Sequence, residues 1–87
     1  MITVFTAPTS GGRFRASAQA SPDDPNSNFP ATRLGVHSIS KNENAAAFYC
    51  AKKAVKLLHP YMVGLTTIKN IGGAVWLVGF QKREAAL

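Results

Sequence analysis

One segment of this chain repeats at the period of a helix, and the rest does not. Ala47, Phe48, Ala51, Ala54, Val55 and Leu58 recur three and four residues apart. That spacing lines one face of an α-helix with apolar side chains. Ahead of it, Ser40-Lys41-Asn42-Glu43 has the form of a capping box, with Ser40 at the N-cap and Glu43 three residues later. Pro60 disfavours helical geometry at His59, so the helix is expected to stop near Leu58. A lone amphipathic helix must bury its stripe against another layer. The remaining segments, all short and β-forming, can supply that layer only as a sheet.

The β-forming runs are separated by strong turn signals. Residues 2–5 are β-branched and aromatic and end at Ala7-Pro8-Thr9-Ser10-Gly11-Gly12. In residues 13–20, Phe14, Ala16, Ala18 and Ala20 share one parity, while Arg13, Arg15, Ser17 and Gln19 share the other. A period of two predicts a half-buried strand with its arginines facing outward. Residues 21–30 contain Pro22, Pro25 and Pro30, which forbid regular pairing, together with Asp23, Asp24 and Phe29. Residues 32–39 predict a third strand, with Leu34 and Val36 on one face and Arg33, Gly35 and His37 on the other.

After the helix, residues 61–69 and 74–81 are rich in β-formers and are joined by Asn70-Ile71-Gly72-Gly73, which predicts a hairpin. The order is β-β-β-α-β-β. The expectation is a single small α+β domain over residues 1–87, an antiparallel sheet of four to five strands with one helix packed on one face. The last strand is apolar on both parities: Trp76, Val78 and Phe80 on one, Val75 and Leu77 on the other. One helix covers only one side of a sheet. The second apolar side is expected to meet a partner or a second copy, or to lie under the N-terminal strand and the Phe29 loop.

Charge is the strongest compositional fact. Ten Lys and Arg stand against four Asp and Glu, giving a formal net charge of +6 and an isoelectric point near 10.0. Such an excess favours polyanions: nucleic acid, an acidic protein face or anionic lipid. The competing explanation is solubility of a small protein. Cys50 is the single cysteine, so no internal disulfide forms, and this usage fits a reducing compartment. The longest apolar run, residues 71–80, falls short of the ~20 residues a spanning helix needs. No basic residue precedes Arg13, so no secretory signal and no membrane association are expected, and a cytoplasmic location is.

Catalytic constellations are missing. Metal binding needs several Cys, His or carboxylate ligands at defined spacing, and Cys50, His37 and His59 are scattered. No metal and no cofactor are expected. Cys50 lies on the helix flank among apolar neighbours, where a thiol stays protonated and inert. Asp23 and Asp24 read as turn residues, and Gly11-Gly12 and Gly72-Gly73 make neither a dinucleotide fingerprint nor a Walker loop. The expectation is a binding protein, not an enzyme.

Three surfaces are candidates for that binding. Tyr49, Lys52, Lys53 and Lys56 fall opposite the apolar stripe of the helix, an arrangement suited to a phosphate backbone or an acidic protein surface. Arg13, Arg15 and Arg33 point away from the expected core, with His37 on Arg33's parity, and arginine favours bidentate contact with carboxylate or phosphate. Trp76 and Phe80, or Val75 and Leu77, form a possible protein interface or homodimer seam. Monomer and homodimer both remain open.

Two resemblances attach to particular residues. Ser40-Lys41-Asn42-Glu43-Asn44-Ala45-Ala46-Ala47 resembles the start of the last helix of double-stranded-RNA-binding domains, whose basic first turn grips duplex phosphates. Only Lys41 matches, and the two strands after the helix do not belong to that fold. Residues 37–83 resemble small phage-encoded anti-CRISPR inhibitors. The matching features are the alanine-bearing helix, then Met62-Val63-Gly64-Leu65-Thr66-Thr67-Ile68-Lys69, then Gly73-Ala74-Val75-Trp76-Leu77-Val78-Gly79-Phe80. This resemblance implies a non-catalytic inhibitor in a bacterial cytoplasm that docks on a protein or ribonucleoprotein effector subunit and blocks nucleic-acid binding. The alternative is a small basic module that contacts phosphate backbones directly.

Overall fold

In the computed structural model the chain folds as β1 (Ile2–Thr9), β2 (Arg13–Ala20), β3 (Thr32–Ser40), α1 (Glu43–Leu58), β4 (Thr66–Gly72) and β5 (Val75–Phe80). The structure describes residues 1–23, 26, 28, 30–61 and 66–81. The five strands form one sheet in the order β3-β2-β1-β5-β4, and every neighbouring pair is antiparallel. The helix packs across one face, so the expected β-β-β-α-β-β architecture is the observed one.

The helix lies close to the sheet because its inner face is small. Ala46, Ala47, Cys50, Ala51 and Ala54 have no exposed surface. They meet Ile2 and Val4 of β1, Ala16 and Ala18 of β2, and Trp76 of β5. The core is thin in consequence: Val4 and Cys50 are its largest fully buried side chains. Two buried hydroxyls tie the layers together. Ser38 on β3 donates to the Ala46 carbonyl at 2.7 Å. Thr6 on β1 donates to Glu43 Oε1 at 2.8 Å and accepts from Trp76 Nε1 at 3.2 Å. Strand β1, strand β5 and the helix N-terminus therefore meet at one hydroxyl.

Several local expectations are corrected. The N-cap is Asn42, not Ser40: its backbone is extended (φ −107°, ψ 126°) and its side chain accepts from the Ala45 amide at 3.1 Å. Ser40 is still in the β3 ladder opposite Phe14, so the helix starts two residues later. That leaves Glu43 in the first turn, where its carboxylate is taken by Thr6 and does not return to the cap. The first strand runs on to Thr9 and turns at Gly11 and Gly12, both at positive φ. The second hairpin turns later than expected. Gly72 is still in β4 opposite Val75, and the Asn70 side chain braces the turn through the Gly73 and Val75 carbonyls. Tyr61 sits in a turn and is 94% exposed, not in a strand, and residues 62–65 lie outside the described residues.

The expectation that the N-terminal strand folds over the last hairpin is also corrected. Strand β1 pairs edge to edge with β5, placing Val4 opposite Trp76 and Phe5 opposite Val75. It widens the sheet and does not cover it. Phe29, the other expected cover, lies outside the described residues. Trp76 faces the helix, is 7% exposed and belongs to the core, so little of its ring is open to a partner. Phe80 shares its parity and packs against the His59 ring at 4.8 Å.

Candidate functional site: the open face of the sheet

Cross-strand register fixes which side chains stand together on the face away from the helix. One row runs Val75–Phe5–Ser17–His37 from β5 to β3. A second runs Lys69–Leu77–Thr3–Gln19–Arg33. A third runs Ala7–Arg15–Ile39, and Arg13 follows opposite Thr9. Arg13, Arg15, Arg33, His37 and Lys69 are exposed, and Phe5 is 36% exposed. No carboxylate stands in these rows.

A break in the β2–β3 ladder shapes the centre of the face. Between the Ser17–His37 and Gln19–Arg33 pairs, β2 has one residue where β3 has three. Gly35, at φ +70°, absorbs the extra chain in a conformation that a side chain makes costly. Arg33 and His37 are four residues apart, yet they stand opposite residues only two apart, about 7 Å along β2. The bulge thus gathers two polar side chains that a regular strand spaces twice as far. Arg15, Arg33 and His37 line one concavity with Phe5, Ala7 and Ser17, a space of about 340 Å³.

The charges on this face are unspent. Among the described residues no Lys or Arg side chain forms an ion pair with a carboxylate. The ion pair found there joins the Met1 ammonium to Asp23. Hydrogen bonding and charge from that ammonium hold the exposed Asp23 carboxyl below the usual carboxylate range. Glu43 is engaged by Thr6 on the helix side.

The other sequence candidates lie apart from this face. Tyr49, Lys52, Lys53 and Lys56 are exposed on α1, on the opposite side of the sheet. Lys53 is tethered, donating to the His37 carbonyl at 2.8 Å, and Lys52 lies over the Phe48 ring with Nζ 5.5 Å from its centroid. The sheet cations, Lys69 among them, and the helix lysines therefore form two surfaces. Phe5 is the residue sequence reasoning missed. Its alternation with Val4 and Thr6 was the available signal, since buried neighbours on either side turn it outward.

Cys50 is fully buried, and burial pushes its thiol up to about 11 against the opposing charge of Lys53. No group of three or more His, Cys, Asp or Glu among the described residues is placed to hold a metal ion. No helix among them is long and apolar enough to cross a membrane. No family model, curated protein or solved structure matches this chain.

Proposed function

We propose that this chain is a non-catalytic binding protein that grips a nucleic-acid backbone through the open face of its sheet. The observation carrying this reading is the absence of carboxylates in rows that hold Arg13, Arg15, Arg33 and Lys69. Arginine's planar fork matches phosphate oxygens, and cations without internal partners lose no existing ion pair on binding. The test is equilibrium binding of a short oligonucleotide across a salt series. Four phosphate contacts on a single strand predict a log–log slope of roughly −3, from about 0.7 per contact. Binding that is absent at low salt, or indifferent to salt, refutes the reading.

A second reading is an inhibitor that docks on an acidic subunit of a CRISPR–Cas effector complex, as the resemblance of residues 37–83 implies. The separate cationic helix face supports it, with Tyr49 54% exposed beside Lys52 and Lys56. Lys52, Lys53 and Lys56 replaced together by Glu should then abolish inhibition of target cleavage. Unimpaired cleavage by the tested complexes in the presence of the unmodified protein refutes it.

A further inference from the structure

We infer that the concavity around Phe5 takes one unpaired nucleotide, its base stacked on the Phe5 ring and its flanking phosphates held by Arg15 and Arg33. This rests on the backbone-binding reading and narrows it from nucleic acid in general to a single strand.

Phe5 stands in the middle row of the face, and Arg15 and Arg33 belong to the rows on either side. Each of those rows is two residues away along the strand, about 7 Å. All three side chains reach the same concavity. A ring flanked by two guanidinium groups in this way matches the alternation of base and phosphate along an extended strand. Every base has a π-face, so stacking on a ring tolerates any sequence.

His37 occupies the far end of Phe5's own row, two strands away and about 10 Å across the sheet. A base lying on Phe5 extends toward it, and its imidazole offers a ring nitrogen to the base edge. The Lys53 ammonium bound to the His37 carbonyl braces that strand from the helix side. In a duplex the bases are stacked and paired, so the Phe5 ring cannot reach a π-face. The arginines alone do not discriminate, because both forms present phosphate.

The experiment is fluorescence anisotropy with labelled oligothymidylate, a base-free oligomer of the same length and a duplex of matched length. Oligothymidylate should bind the unmodified protein about tenfold or more tighter than the base-free oligomer, the effect of one stacked base. Phe5→Leu should erase that difference and Phe5→Trp should retain it, with far-UV circular dichroism confirming the fold of each. Arg15→Gln with Arg33→Gln should weaken all three ligands.

Equal binding of the base-free oligomer overturns the inference while leaving backbone binding intact, and this arm needs no variant. Tighter binding of the duplex, or equal competition by polyglutamate, also overturns it. Loss of all binding at low salt overturns the backbone reading as well.

Discussion

Thr6→Val removes a hydroxyl at the junction of three elements while keeping the side chain's shape. The hydroxyl accepts from Trp76 Nε1 at 3.2 Å and donates to Glu43 Oε1 at 2.8 Å. The indole N–H is then left buried without a partner, which costs about 1–3 kcal/mol. The lost bond to the carboxylate adds to this, but Glu43 is half-buried and water replaces part of it. A total of about 2–3 kcal/mol follows, a large share of the stability of so small a domain. It corresponds to a fall in Tm on the order of 10–20 °C.

The assay is urea unfolding followed by far-UV circular dichroism, with Trp76→Phe and the double variant completing a thermodynamic cycle. Trp76→Phe removes the orphaned donor, so the double variant should be more stable than the two single losses imply, by about 1 kcal/mol or more. Additivity to within about 0.5 kcal/mol, or a Thr6→Val variant as stable as the parent, refutes the shared-hydroxyl account.

Four further outcomes are expected. Replacing Arg15 and Arg33 by Gln should lower the magnitude of the salt slope for single-strand binding by about 1.4, two contacts' worth, in the same salt series. Cys50 should resist labelling by a thiol reagent at mildly alkaline pH, reacting on the order of a hundredfold more slowly than in urea, because its folded pKa is about 11. That raised pKa also implies stability that is full below the ordinary thiol value and declines as pH rises toward 11, which urea midpoints across alkaline pH will read. Gly35→Val should cost about 1–2 kcal/mol through its positive φ, since nothing crowds the added Cβ, and unfolding midpoints measure it.

The architecture was legible because each element carried its own period. Alternation in residues 13–20 placed Ala16 and Ala18 inward and Arg13 and Arg15 outward, as the burial pattern has them. Pro60 marked the helix end, and α1 stops at Leu58. The cap was misplaced because Ser40 satisfies a local rule that the β3 ladder overrides. Trp76 was ambiguous because a strand apolar on both parities does not say which side a helix takes. That choice was settled by β1 pairing with β5, a contact between chain ends that no local pattern records. The site was half legible. The arginines were visible from parity, but the approach of Arg33 to Phe5 depends on the bulge at Gly35, and a lone glycine in a strand gives no sign of how many residues it absorbs.

The alanine face of α1 has a bearing on how this surface can vary. The core is held by Val4, Cys50 and a row of methyl groups; Trp76 is the aromatic residue buried in it among the described residues, and Phe14 and Phe80 pack against its edge. Phe5, Tyr49 and Tyr61 stand outside, where substitution leaves no cavity behind. Side chains on either surface can change at such positions without threatening the scaffold. Enlarging any inward alanine instead forces helix and sheet apart, at a cost of about 1–3 kcal/mol. Variation outside leaves the fold intact, and variation within draws down a stability that is small to begin with.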